Sequence, residues 1–369
     1  MTNQISEEFR PIDARPDYAQ PGENRTGTAR LNRLDPAGFE FRHTDQEIVR
    51  QRLAGFIPPD VVDVHAHLYD LRMLEPPNPT TSVAAAPAVG LRVYDESLGR
   101  WLNGCAPRQG LFFAFPSKKL DTRAANEFVA YELRNRPGSL GLLMIRPDDD
   151  PDSVATEVTA GGWAGFKVYH LFGNRPDTQD CLIGEFLPDW AWEIADRCGL
   201  VIMLHLVRQR SLADPQNQAY IREHCRRYPD ARLVLAHAAR GFCGPHTAEG
   251  IDAIRDLDNV FFDTSAICES LPLEAILRTY GPSRLLFGTD FPVSEFRGKP
   301  FTIGNGFCWI YDDSIDWNVW RMGQPTLVGI ESVLAVQQAC RTLCLTDGDV
   351  ERIFAGNARQ LLARGLPLR

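Results

Sequence analysis

The sequence predicts a closed (β/α)8 barrel, a TIM barrel, and three observations carry that reading. Eight apolar runs of four to seven residues recur from Val61 onward, segments of helical period separate them, and no G-x-G-x-x-G turn follows the first run. Near-continuous hydrophobic strands alternating with helices belong to a parallel sheet covered on both faces. An open doubly wound sheet would carry phosphate-binding glycines after its first strand, where this chain has Leu68-Tyr69-Asp70. Eight units point instead to closure.

Taken in order, residues 1–57 form an N-terminal extension and residues 58–369 the barrel. The first 45 residues are polar, carry Pro11, Pro16 and Pro21, and show no sustained period, as expected of a surface-wrapping or partly disordered segment. A short helix over Asp45–Ala54 is stopped by Pro58-Pro59. The strands are Val61–His65, Leu111–Phe115, Leu140–Ile145, Gly165–Tyr169, Leu200–His205, Arg232–His237, Val260–Thr264 and Leu285–Asp290. Helices follow the second to eighth strands over Asp121–Arg136, Asp152–Ala160, Glu185–Cys198, Gln216–Tyr228, Ala248–Leu257, Pro272–Tyr280 and Thr326–Leu345, and Asp347–Ala363 closes the wall. Two connections are long, Leu68 to Arg108 after strand one and Phe291 to Pro325 after strand eight. Long insertions at strand C-termini shape a barrel's active site.

Composition excludes several classes. A formal charge of −9 without a cluster of Lys and Arg argues against nucleic acid. No apolar stretch approaches the roughly 20 residues of a membrane span, and the N-terminus lacks the basic start and apolar core of a secretory signal, so a cytoplasmic protein is expected. The nine cysteines are scattered with no Cys-x-x-Cys pair, which reads as buried thiols in a reducing compartment. A homo-oligomer, a dimer, is expected.

His65 and His67 lie two apart at the end of Val61-Val62-Asp63-Val64, so alternation aims both imidazoles to one side. Such a pair is half of a metal site. His205, His237 and Asp290 each end a later apolar run, and a parallel barrel gathers all strand C-termini on one face. Imidazole nitrogens and carboxylate oxygens suit Zn²⁺ and similar divalent ions.

His65-Ala66-His67 after a strand, His205 closing Val-Ile-Met-Leu-His, Leu-Ala-His237 before small residues, and Phe-Gly-Thr-Asp290-Phe-Pro together resemble the amidohydrolase superfamily. The resemblance is to its amidohydrolase-related branch, which contains metal-dependent hydrolases, lactonases, hydratases and nonoxidative decarboxylases. Ile353-Phe-Ala-Gly-Asn357-Ala-Arg359 is similar to the helix start closing such barrels. The resemblance implies that His65, His67, His205 and Asp290 ligate one divalent ion, Zn²⁺ first and Mn²⁺ as the alternative. It gives His237 and Asp290 the proton handling, and leaves open a second ion with His237 as ligand.

In Gly165-Phe166-Lys167-Val168-Tyr169, Phe166 and Val168 suit the helix-covered outside, which turns Lys167 and Tyr169 inward. Three duties stand for Lys167: substrate binding, a carbamate bridge between two ions as in some superfamily members, or an ion pair with Asp63. Lys118, Lys119, Arg146, Arg208, Arg240 and Arg297 follow strand ends, and Glu295-Phe-Arg297 lies close enough to Asp290 to line the pocket. Cations at that rim favour a small anionic substrate, with Lys167, Tyr169 and Arg240 binding it. Tyr169, Phe172, Trp309 and Tyr311 would supply an aromatic wall, while Phe115 and Phe166 belong to the core. The leading function is hydrolysis of an amide or lactone in a carboxylate-bearing substrate. A decarboxylase or hydratase is the alternative, and a non-catalytic ligand-binding barrel the third.

Overall fold

The computed structural model describes residues 39–74 and 88–363, apart from 103, 105 and 320–322. The proline-rich segment 1–38 and the alanine-rich part of the first long connection, 75–87, lie outside the described residues. The strands are β1 (Val62–Asp70), β2 (Ala88–Val89), β3 (Gln109–Ala114), β4 (Leu140–Met144), β5 (Trp163–Val168), β6 (Val201–Leu204), β7 (Arg232–Leu235), β8 (Val260–Asp263) and β9 (Leu285–Leu286), followed by a hairpin of β10 (Gly298–Ile303) and β11 (Gly306–Tyr311). In the main sheet β2 flanks β1 antiparallel, and β1, β3, β4, β5, β6, β7, β8 and β9 run parallel in that order.

Each strand of the parallel sheet buries both faces, which is why the runs lack alternation. The outer face packs under the helices through residues such as Phe112, Phe166, Ile202, Leu233 and Phe262, whereas Leu111, Phe113, Leu142, Met203, Val234 and Leu286 fill the interior. Ala355, Ala358 and Leu361 of the C-terminal helical segment stopper the interior at the strands' N-terminal end. Several helices start by one device: Asp121, Asp150 and Asp214 each cap the following helix by accepting a backbone N–H bond.

The ring closes between β1 and the segment after β9. Val64 N–H donates to Phe287 O (3.0 Å), Asp290 N–H to His65 O (2.7 Å) and His67 N–H to Phe291 O (2.8 Å). A register shift between Asp63 and Ala66 breaks the alternation of β1. Val62 and Val64 therefore face the interior below it, while above it Ala66 and Leu68 face the helices and His65 and His67 turn inward. Strict alternation from Val62 would have put both imidazoles outside.

The sequence expectations shift at several elements. β1 extends five residues past His65, β7 stops at Leu235 short of His237, and the helix expected over Ala248–Leu257 is a helix at Gly244–Gly250 with a 3-10 turn at Ile251–Ile254. The second long connection carries the β10–β11 hairpin, tied down where Thr302 Oγ1 donates to Glu269 Oε2 (2.5 Å).

Arg297 does not line a pocket. Its guanidinium holds Asp45 of the first helix (His43–Ile48) through two bonds of 2.9 and 2.6 Å, and Thr326 Oγ1 donates to the same carboxylate at 2.6 Å. Glu295 is likewise turned away, accepting from Trp101 Nε1 at 3.0 Å. Asp312, in the polar string after β11, binds Arg42 at 2.7 Å. With Phe39 packed edge-on against Phe291 (5.9 Å between centroids), these contacts fasten residues 39–57 to the loop that follows Asp290.

Burial raises the Asp45 carboxyl, but Arg297 and Thr326 outweigh it and leave the group below its ordinary value. Its contribution is therefore complete at neutral pH and is lost as pH falls below the usual carboxylate range. Arg297→Ala, which strands a buried carboxylate, should destabilise the protein by about 3–5 kcal/mol in urea unfolding at pH 7, with a smaller difference near pH 3.

Candidate metal centre

His65 and His67 face inward from β1, past its bulge. His67 Nδ1 lies 2.9 Å from Ala114 O, and a carbonyl only accepts, so that nitrogen carries the proton. His65 Nδ1 lies 2.9 Å from Asp263 Oδ2. Burial pushes Asp263 up, yet the His65 and His237 imidazoles and the Ser265 hydroxyl hold it down to about 2, so it is an ionised acceptor and His65 Nδ1 is also protonated. Both Nε2 atoms are then bare lone pairs. They stand 3.2 and 3.3 Å from Asp290 Oδ1.

Asp290 is ionised too: burial raises it, but His237, His65 and His67 bring it well below the carboxylate range. With both imidazoles neutral, three lone pairs converge with no proton between them, an arrangement that is repulsive until a cation, a proton or a metal ion, lies among them. Ligands about 2.0–2.2 Å from one ion at tetrahedral angles are roughly 3.3–3.6 Å apart, close to the separations observed. His65 Nε2 is fully buried and has no hydrogen-bond partner among the described residues. The donor set fits a divalent ion. Burial and Lys167 lower the His65 pKa, but Asp263 and Asp290 win and raise it, marking the spot where positive charge is favoured.

Gly288 makes this convergence sterically feasible. A Cβ there would stand 2.9 Å from the Cβ of His65.

His237 is placed by a different device. It opens four consecutive non-glycine residues in left-handed backbone, His237, Ala238, Ala239 and Arg240, with φ of 56°, 49°, 61° and 58°. Such a turn costs roughly 1–2 kcal/mol per residue. It is held by His237 N–H on Asp263 Oδ1 (2.8 Å), Gly241 N–H on His237 O (2.6 Å) and Thr247 Oγ1 on Ala238 O (2.9 Å). His237 Nδ1 faces Ser265 O at 3.1 Å and Ser265 Oγ at 2.8 Å, so it too is protonated there, and burial pushes the imidazole down to about 4. It stands 4.0 Å from Asp290 Oδ2.

The structure brings His65, His67 and Asp290 together, with ligand atoms within 4.8 Å of one another. His205 is not in that group. Its ring packs against Tyr169 (4.7 Å) and His237 (4.9 Å), and its Nδ1 is buried without a partner among the described residues. His65, His237 and Asp263 form a second cluster of ligand-type atoms, but there Nδ1 and Oδ2 are already at hydrogen-bond distance and the Ser265 hydroxyl, 2.5 Å from Asp263 Oδ1, fills the gap.

Lys167 is fully buried, its Nζ lies 4.8 Å from the Phe113 ring centroid, and no hydrogen-bond partner is present among the described residues. The ion pair with Asp63 does not form. Asp63 is instead saturated by the His65 and Thr289 backbone N–H groups, Thr289 Oγ1 and Tyr94 Oη, at 2.6 to 3.0 Å.

Arg240 is pinned over Phe307 by Gln179 Oε1 (2.8 Å) and Arg208 O (3.1 Å). Arg208 itself pairs with Asp214, and Arg146 stacks on Phe172, while Lys118 and Lys119 are exposed. Phe115, half-buried and packed against the core as expected, also brings its ring 5.0 Å from His67. Trp309 and Tyr311 stack on each other in the hairpin, and Phe242 links Trp309 to His237. Sequence reasoning missed Asp263, although a carboxylate ending Val260-Phe261-Phe262 is the same signal that marked Asp290. It had no signal for Gln179 or Ser265.

The fold and this convergence define a parallel barrel with a candidate metal centre where its first and last strands meet. The sequence profile of the Amidohydrolase family matches residues 62–364, and the chain belongs to that family. Solved structures share the fold at low identity. An amidohydrolase from Burkholderia multivorans with bound zinc is 15% identical, covers 82% of this chain and 99% of its own, and has a TM-score of 0.53. A probable 2-pyrone-4,6-dicarboxylic acid hydrolase from Acinetobacter baumannii with citric acid bound is 14% identical over 82% of this chain and 99% of its own, with a TM-score of 0.53. The 5-carboxyvanillate decarboxylase of Sphingomonas paucimobilis is 14% identical, with coverages of 83% and 99% and a TM-score of 0.50. No curated protein matches the sequence. No helix among the described residues is long and apolar enough to cross a membrane.

Burial pushes the Lys167 ammonium down from 10.5 to about 8. The cost of keeping it charged is full below that pH and lifts as pH rises toward 10.5, the sign expected for a depressed cation. Lys167→Met should therefore stabilise the metal-free protein at pH 7 by up to about 3 kcal/mol, and the gain should disappear at pH 10.5 in urea unfolding.

Proposed function

We propose that the protein is a metal-dependent hydrolase acting on an amide or lactone bond of a small, carboxylate-bearing substrate. The observation that carries the reading is the buried convergence of His65 Nε2, His67 Nε2 and Asp290 Oδ1 with their protons elsewhere. A divalent ion, Zn²⁺ in the first instance, supplies acidification of water and polarisation of a carbonyl at such a site. His65, His67 and Asp290 would hold it, and His205, which lies outside that group but whose buried Nδ1 lacks a partner among the described residues, would be the fourth ligand.

His237 takes a proton at Nε2, because its Nδ1 is engaged by Ser265. Asp290 favours that imidazolium from 4.0 Å. Lys167 and Arg240 draw the substrate carboxylate, the first as a buried ammonium and the second as a guanidinium already oriented by Gln179. Tyr169, stacked at 4.9 Å on His170 and 4.7 Å from His205, gives the substrate a flat wall.

Nonoxidative decarboxylation is the second reading, and the dryness of the centre supports it. His65 and Lys167 have no exposed surface, and a carboxylate stripped of water in such a place loses CO2 more readily.

Elemental analysis of purified protein should find about one equivalent of divalent metal per chain. His65→Ala should lose both metal and turnover, and a variant that keeps its metal sinks the reading. His237→Asn should retain the metal and lower kcat by about 10²–10⁴. Against panels of lactones, amides and aromatic carboxylates, acid release without gas identifies the hydrolase; CO2 with uptake of a solvent proton into product identifies the lyase.

A further inference from the structure

Asp263 ends β8 beside the centre, yet its oxygens do not face the point where the three lone pairs meet. The carboxylate is fully buried and takes four donors. His65 Nδ1–H reaches Oδ2 at 2.9 Å, while the His237 backbone N–H (2.8 Å), the Ser265 backbone N–H (3.1 Å) and the Ser265 hydroxyl (2.5 Å) reach Oδ1. A hydroxyl has one hydrogen. With that hydrogen on Asp263, Ser265 Oγ can only accept, and the donors it meets are His237 Nδ1–H at 2.8 Å and, shared with Asp263 Oδ2, His65 Nδ1–H at 3.2 Å.

We infer that Asp263, assisted by Ser265, is a positioning residue that fixes the tautomer and aim of His65 and the start of the His237 turn, leaving each imidazole with a bare Nε2. The two oxygens divide the work: one orients a ring on β1, the other fixes backbone and hydroxyl donors on the far side. The arrangement explains how a left-handed run of four residues persists, since its first N–H is bound to a charged acceptor.

It also explains why an isosteric amide should fail. In Asp263→Asn, an oxygen turned to the three donors points NH2 at His65 Nδ1 and forces the proton to Nε2, where it blocks the ligand position. The opposite orientation sets NH2 against three donors.

The inference rests on the metal-centre reading, and zinc affinity by chelator competition separates the two. Asp263→Asn should bind Zn²⁺ about 10–100-fold more weakly. At alkaline pH, where the His65 ring is neutral, metal-free protein carrying ¹⁵N-histidine should show His65 with protonated Nδ1 and bare Nε2 in the wild type, and the reverse in Asp263→Asn. Ser265→Ala should move the His237 ring resonances and leave the His65 tautomer alone, with Ser265→Thr restoring them.

An unchanged affinity and an unchanged His65 tautomer in Asp263→Asn overturn the inference. If that variant does not fold, the wild-type spectrum at that pH decides, because a neutral His65 ring carrying its proton on Nε2 overturns it equally. Should His65→Ala also keep full zinc affinity, the metal-centre reading itself has failed. If His65→Ala loses zinc and Asp263→Asn does not, only the role of Asp263 has.

Discussion

The seam that closes the barrel is also the floor of the candidate centre. Val64, His65 and His67 bond through their backbones to Phe287, Asp290 and Phe291, and the side chains of His65, His67 and Asp290 meet directly above those bonds. Gly288 permits the approach, and Asp63 ties the two edges by accepting from both His65 and Thr289. Ligand placement is consequently not a separate problem from folding. The two imidazole nitrogens cannot come within 3.2 and 3.3 Å of Asp290 Oδ1 unless the first and last strands of the barrel are paired in this register.

What the sequence made legible follows from that geometry. Parallel barrel strands bury both faces, so the runs from Val61 to Asp290 stood out as continuous apolar stretches, and polar residues ending them stood out as strand-end groups. His65, His67 and Asp290 were readable for this reason. The bulge in β1 was not, since a register shift is set by hydrogen bonds to β3 and leaves no mark on residue type. Nor was the left-handed turn at His237, where two alanines tolerate positive φ without announcing it.

Charged residues were the least predictable class. Arg297, Glu295 and Arg208 looked like rim groups by their distance from strand ends, but each is engaged in structural pairing. Spacing places a long side chain near a surface and leaves its direction undetermined; the partner decides that. Arg297 turns to Asp45 because a carboxylate buried with the first helix would otherwise stand unneutralised. Asp263 was missed for the converse reason. Its partners are the His65 imidazole, the His237 backbone N–H and the backbone N–H and hydroxyl of Ser265, and sequence spacing carries no trace of the first two, which come from distant strands.

Charge balance links these pieces to the substrate proposed. Asp263 and Asp290 are held ionised, and burial with its hydrogen bonds leaves Asp63 near 6, so at neutral pH three carboxylates surround the seam. Against them stand Lys167 within the barrel and Arg240 at its rim. Negative groups outnumber positive ones by one, in a region with almost no water to screen the difference. A divalent ion reverses the sign and leaves an excess of positive charge. A monoanionic substrate would then neutralise it, which is the physical ground for proposing a carboxylate at this mouth with Lys167 and Arg240 flanking it. The ion and the substrate anion are, on this argument, coupled: the first makes the mouth attractive to the second.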